Sequence, residues 1–202
     1  MMMSSNAPVE IALALTGASG AMLAQRMLRA LEADTRVARV HLTASDAALR
    51  VIAEEMSLSG RNDLAEKLLD SPAKKTVAYT HQDVGAPIAS GSYPLHAMVV
   101  LPCSMGTLAG IANGSAGNLI ERAADVCLKE RRRLVLCVRE TPLSLIHLRN
   151  MTAATEAGAT IFPVAPTFYN HPQTLEDMAQ NYVDRVLAHI ALPQSGAYIW
   201  KG

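Results

Sequence analysis

Charge is scarce in this chain. Only 18% of its 202 residues are Asp, Glu, Lys or Arg, against about 25% in ordinary soluble domains. The shortfall reads as surface hidden between copies in a homo-oligomer. Neither sign is in excess, with 18 basic side chains against 18 acidic ones. That balance excludes a protein built mainly to coat nucleic acid or an anionic membrane. No apolar run reaches the roughly 18 residues that a membrane helix needs. Met1–Pro8 carries no positive charge ahead of the apolar run from Val9. No secretory signal is therefore read there, and a cytoplasmic protein is expected. The cysteines, Cys103, Cys127 and Cys137, are odd in number and form no CxxC pair. Their apolar surroundings predict buried, reduced thiols. The histidines lack HExxH and HxxxH spacing, which excludes the common zinc sites.

Half of the residues are apolar, enough for a substantial core. Five short continuous apolar runs predict buried parallel strands at Ile11–Leu15, Val37–Thr43, Ala97–Leu101, Leu134–Val138 and Thr160–Val164. Helical stripes lie between them. Leu23, Met27, Ala30 and Leu31 form one, and Ala48, Val51 and Ile52 another. A third runs from Ile120 to Leu128, and the last keeps one face from Leu175 to Ile190. Strand alternating with helix predicts a parallel sheet flanked by helices. A short helix near Asn62–Leu69 and a small strand near Thr76–Tyr79 complete the reading. No linker or repeat divides the chain. Residues 1–202 are read as one domain, with 193–202 a tail packing on the active site or a neighbouring subunit.

In such sheets ligands bind beyond the carboxyl ends of the strands. Thr16-Gly17-Ala18-Ser19-Gly20 follows the first strand, Ser45 the second, and Cys103-Ser104-Met105-Gly106-Thr107 the third. Arg139-Glu140 follows the fourth, and Pro166-Thr167-Phe168-Tyr169 the fifth. Small and hydroxylated residues opening helices suit a phosphate. The spacing matches neither a Walker A loop nor GxGxxG. Glu55 extends the 48, 51, 52 stripe, and a carboxylate on a core face needs a partner, a raised pKa or a ligand. Arg122, Asp125 and Lys129 share a helical face and read as a solvated ladder. The Arg131–Arg133 run reads as a solvated helix exit.

TGASGA, PCSMGTLAGIANG, RAADVCLKERRRLVLCVRETP and PVAPTFYNHPQTLEDM together resemble the UbiX-type flavin prenyltransferases, over Glu10 to Trp200. Several implications follow from that resemblance. The fold is a flavodoxin-like, Rossmann-like three-layer sandwich, assembled as a dodecamer with sites between subunits. The reaction joins the dimethylallyl group of dimethylallyl phosphate to N5 and C6 of reduced FMN, with phosphate leaving. The product, prenylated FMN, serves UbiD-type decarboxylases, including the one in ubiquinone synthesis. Gly17, Ala18, Ser19, Ser45, Ser104, Met105, Gly106, Thr107 and Arg139 match FMN contacts. Lys129, Arg139, Tyr169 and Arg185 match the surroundings of the prenyl phosphate. Trp200 matches a tail residue covering that site. Glu55 matches a glutamate near the phosphate, and Glu140 one near flavin N5. Ser19 and Glu140 are candidate proton carriers. Val84 departs from the tryptophan that several members of that family carry there, which leaves the shape of the prenyl-pocket wall, not the reaction class, open.

The residues fit this chemistry. A departing allylic phosphate needs its charge stabilised, and Lys129, Arg139 and Arg185 offer fixed cations. No DDxxD motif is present to hold Mg²⁺ for a diphosphate. One alternative is an FMN-dependent cysteine decarboxylase of the same superfamily. Its PASANT-like segment carries an Asn that Ala89-Ser90-Gly91-Ser92-Tyr93-Pro94 lacks. Another is a flavin-storing or regulatory subunit, which would not need Glu55, Lys129 and Arg185 together.

Overall fold

In the computed structural model, which describes residues 7–199, the apolar runs form a six-stranded parallel sheet. Its strands are β1 (Val9–Leu15), β2 (Val37–Ala44), β3 (Thr76–Thr80), β4 (Ala97–Cys103), β5 (Arg133–Val138) and β6 (Thr160–Ile161). Their order is β3-β2-β1-β4-β5-β6, and every neighbouring pair is parallel. The helices are α1 (Ala21–Ala33), α2 (Asp46–Met56), α3 (Leu64–Leu69), α4 (Met105–Ala112), α5 (Leu119–Lys129), α6 (Leu145–Glu156) and α7 (Leu175–His189). Pro87–Ala89 forms a 3₁₀ turn.

Side chains alternate across a strand, so each strand feeds two cores. Ile11, Leu13 and Leu15 pack with α1, α2, α3 and α7. Ala12 and Ala14 face the other core, built with α4, α5 and α6. Burial on both faces explains why the runs are continuous rather than alternating. Two buried polar residues, His41 and Thr43, break the second face of β2. His41 is fully buried, and its Nε2 meets Glu10 Oε2 at 2.7 Å while its Nδ1 meets the Tyr79 hydroxyl at 3.2 Å. Burial lowers the His41 pKa against the pull of Glu10.

β2-β1-β4-β5-β6 repeats the flavodoxin order, with β3 added beside β2. The winding reverses between β1 and β4, which is where an open α/β sheet presents its ligand crevice. Two elements differ from expectation. β6 is regular only over Thr160–Ile161. Its ladder nevertheless continues as Phe162 N–H donates to Leu136 O and Val164 N–H to Val138 O, both at 2.9 Å. Pro163 between them has no N–H to give. Helix α6 has no sequence stripe, because only Ala154 of it is buried and Leu145, Ile146 and Leu148 are exposed. No helix among the described residues is long and apolar enough to cross a membrane.

Candidate active site

Among the helices that start at the carboxyl edge of the sheet are α1, α2 and α4. Ser45 caps α2 by accepting Ala48 N–H at 3.1 Å. Ser104 caps α4 by accepting Thr107 N–H at 3.4 Å, and its hydroxyl donates to Thr107 Oγ1 at 3.2 Å. Such starts expose N–H groups and favour an anion. Thr16 joins the loops after β1 and β4. Its hydroxyl donates to Pro102 O at 2.8 Å and accepts Ser104 N–H at 2.7 Å. Sequence reasoning passed over Thr16 as a site residue, although it opens the TGASG segment. Gly17 has a steric reason: a Cβ there would stand 2.5 Å from Ala47 Cβ. Only glycine lets this loop lie against the first turn of α2.

Helix α1 begins at Gly20, whose φ of 130° also suits glycine, and it has no cap from its own N-cap side chain. The cap comes from α2. Glu55 accepts Gly20 N–H at 3.1 and 3.2 Å and Ala21 N–H at 2.8 Å. This corrects one expectation. Glu55 is exposed, not on the core face. The buried stripe of α2 ends at Ile52, and the last turn projects towards the β1 loop.

Arg139 follows β5, where its N–H donates to Cys103 O at 3.2 Å. Its Nε is buried and finds no hydrogen-bond partner among the described residues. An orphaned guanidinium N–H is costly unless a ligand accepts from it. A phosphorylated, oxygen-rich ligand fits that donor and the neighbouring Ser and Thr hydroxyls. Arg61, which no sequence signal marks, steadies the same edge. It donates to Ala44 O and to Asp46 Oδ1, each at 2.7 Å, on both sides of Ser45.

Beyond β6, Phe168 and Tyr169 are exposed. Arg185 lies over the Phe162 ring, 5.6 Å from its centre. A cavity of about 210 Å³ is lined by Thr167, Asn170, Asn181, Asp184, Arg185 and the tail residue Tyr198, among others. Glu140 is exposed and accepts Thr141 N–H at 3.0 Å. Val84 is 56% exposed. Trp200 lies outside the described residues.

Lys129 does not join this group within one chain. Helix α5 runs back against the strands and ends at Lys129, just before β5 begins at Arg133. Arg139 follows the far end of that strand. Six strand residues span about 20 Å. At its own edge Lys129 pairs with Glu130, beside Gly91. Arg122 pairs with Asp125 at 2.7 Å and donates from Nε to Ala89 O at 3.0 Å. Arg132 is not merely solvated, since it donates to Gly91 O at 2.6 Å. All three cysteines are buried. Burial pushes the Cys127 and Cys137 thiols up to about 12, and Cys103 higher still. Burial therefore disfavours a nucleophilic thiolate at each of them near neutral pH.

A parallel sheet with hydroxyl-bearing loops at its winding reversal and an unpaired arginine beside them defines a mononucleotide-binding, flavodoxin-like α/β protein. The Flavoprotein family model matches residues 3–191. A flavin prenyltransferase UbiX from Salmonella typhimurium is 46% identical over 190 residues, covering 93% of this chain and 96% of that one. The UbiX of Pseudomonas aeruginosa is 44% identical over 199 residues, covering 96% and 94%. The chain belongs to the Flavoprotein family and, within it, to the UbiX-type flavin prenyltransferases. Among solved structures, AnUbiX in complex with FMN and dimethylallyl pyrophosphate matches with a TM-score of 0.86 at 42% identity, over 96% of this chain and 98% of that one. A dodecameric FMN-dependent UbiX-like decarboxylase from Escherichia coli O157:H7 matches with a TM-score of 0.85 at 42% identity, over 96% and 100%. The cysteine decarboxylase TvaF shares the fold alone, at 15% identity and a TM-score of 0.57.

Proposed function

We propose that this protein is a flavin prenyltransferase joining a dimethylallyl group from dimethylallyl phosphate to N5 and C6 of reduced FMN. The observation that carries the reading is the pairing of relatives at 44–46% identity over nearly the whole chain with an orphaned Arg139 donor at the β1/β4 crevice.

Gly17, Ala18, Ser19, Ser45, Ser104, Met105, Gly106 and Thr107 hold FMN through backbone N–H groups and hydroxyls, and Arg139 completes that contact. Reduced FMN, when bound, supplies an electron-rich face and the nucleophilic N5 and C6. The protein's own task is to make phosphate leave and to keep water away. Arg139, Tyr169 and Arg185 of one chain bind the donor phosphate, together with Lys129 of a second copy. Fixed cations there stabilise negative charge as it develops on the leaving oxygen. Glu55 exchanges a proton with the phosphate, and Ser19 and Glu140 carry the proton released at N5 or C6.

Two features support a site shared between copies in a homo-oligomer, a dodecamer on the pattern of the E. coli relative. Lys129 stands at the opposite edge of the sheet from Arg139. Leu143, Leu145, Ile146 and Leu148 are exposed apolar side chains around α6, which a neighbouring chain would cover. Trp200 covers the donor in this reading. The product goes to a UbiD-type decarboxylase, such as the one in ubiquinone synthesis, and the protein works in the cytoplasm.

Incubation with reduced FMN and dimethylallyl phosphate, followed by mass spectrometry of the flavin, tests the assignment. A flavin heavier by one dimethylallyl unit is expected. Unmodified FMN, or decarboxylation of a cysteine-terminated peptide in its place, overturns it.

A further inference from the structure

The C-terminal tail is anchored at its root by groups that the proposed reaction does not use. Helix α7 ends at His189, and Ala191, with φ 65°, turns the chain back. His96 Nε2 meets Ile190 O at 3.0 Å. Next to this reversal lies the turn between α1 and β2. There Arg36 forks onto Asp34, with Nε to Oδ1 at 2.9 Å and Nη2 to Oδ2 at 2.5 Å. The same Nη2 donates to Pro193 O at 3.1 Å. Gln194 Nε2 donates to Asp34 Oδ2 at 3.2 Å and to Leu192 O at 2.8 Å. One carboxylate and one guanidinium thus grip two successive tail residues.

This grip is built, not incidental. The Asp34 side chain is only 6% exposed. Its hydrogen bonds from Arg36 hold the carboxyl down at about 2, so it stays anionic at any working pH. Forked, charge-assisted pairs also fix direction better than single bonds do. Beyond the grip the tail doubles back along α7. Ala197, Tyr198 and Ile199 then line the same cavity as Asn181 and Arg185.

We infer that Asp34, Arg36 and Gln194 are positioning residues for the prenyl donor. They hold the root of the tail so that Tyr198 and Ile199 wall the cavity at Arg185. The inference rests on the reading of Arg185 as a donor-phosphate residue. Ordering an irregular segment costs conformational entropy residue by residue. An anchor already made in the free protein removes part of that cost from donor binding. FMN binding, which uses loops at the other side of the sheet centre, gains nothing from it.

The test uses the full-length, FMN-loaded protein and the variants Arg36→Ala, Arg36→Lys and Gln194→Ala. Trp200 is the only tryptophan in the sequence, so acrylamide quenching of its fluorescence reads the tail directly. Arg36→Ala and Gln194→Ala should each raise the KM for dimethylallyl phosphate about tenfold, with kcat within about twofold. FMN affinity should not change, and Trp200 should become easier to quench. Arg36→Lys keeps a cation beside Asp34 and Pro193 O and should recover part of both effects. Gln194→Ala removes a single side-chain amide, so it serves where Arg36→Ala fails to fold. Unchanged quenching overturns the anchor, and raised quenching with an unchanged KM overturns its link to donor binding. A wild-type protein that prenylates nothing overturns the functional reading instead, while the quenching arm still judges the anchor.

Discussion

The carboxylate of Glu55 accepts the backbone N–H of Ala21 at 2.8 Å, so the end of α2 caps the start of α1. An anion at a helix N-terminus is favoured by the exposed N–H groups and the helix dipole. A phosphate arriving at the neighbouring Ser19–Gly20 turn would seek the same donors. Glu55 therefore braces the start of α1, and on the proposed reading it is also the group that exchanges a proton with phosphate.

Replacing Glu55 separates the two roles. Glu55→Gln keeps an acceptor for Ala21 and should retain the fold and FMN binding while slowing prenyl transfer. Glu55→Ala loses the cap and should also cost about 1 kcal/mol of stability. Denaturant titration and turnover at saturating substrate read the two effects. Unchanged turnover in Glu55→Gln removes this carboxylate from the mechanism.

Cofactor selectivity follows from the loops. The N-termini capped by Ser45 and Ser104 favour an anion, so FMN should bind far more tightly than riboflavin. Arg139→Ala should weaken FMN binding and prenyl transfer together. Arg185→Ala should abolish transfer and spare FMN. Equal affinities for FMN and riboflavin, measured by calorimetry, would sink the loop assignment.

Mixed oligomers test the shared site. Lys129→Ala and Arg185→Ala should each be inactive alone. Unfolded together and refolded as a mixture, they should recover about a quarter of wild-type activity, the fraction of sites that draw one intact residue from each chain. No recovery from well-formed mixed oligomers would mean that each chain uses its own Lys129.

On the proposed reading, Lys129, Arg139 and Arg185 supply the charge that a metal supplies to diphosphate-using prenyltransferases. Activity with dimethylallyl phosphate should survive excess EDTA. Loss in EDTA and return with Mg²⁺ would refute the cationic account, even with the same product.

Thiol chemistry gives a fifth test. Burial favours the neutral thiol, which puts Cys127 and Cys137 near 12. Native protein should resist thiol alkylation at pH 7–8, and urea-unfolded protein should label at all three positions. Rapid labelling of the native state at Cys103 would contradict its burial.

Much of this architecture was legible in the residues. Runs such as Leu134–Val138 are apolar throughout because helices cover both faces of the strand, and a one-dimensional pattern records that well. Helix α6 was not legible, because Leu145, Ile146 and Leu148 face out of the single chain and leave no inward stripe. Glu55 was misplaced for a related reason. Helical periodicity fixes direction around an axis, but not which positions are fully covered, and the last fully buried position of α2 is Ile52. Thr16 and Arg61 act by bonding backbone carbonyls far away in sequence, which no spacing rule encodes. Lys129 was matched to its role by resemblance, while its place at the opposite edge emerged only from the course of α5.

That course of α5 has a consequence for inheritance. Lys129 and Arg185 never meet in the molecule that carries them both, yet on the proposed reading neither is useful without the other. On that reading a mutation at Lys129 would harm a neighbour's chemistry and leave the mutant's own donor arginine intact. One faulty chain in a mixed population would then spoil sites it does not own, so damage would spread with assembly. Dilution below the dissociation constant of the assembly would silence even perfect chains.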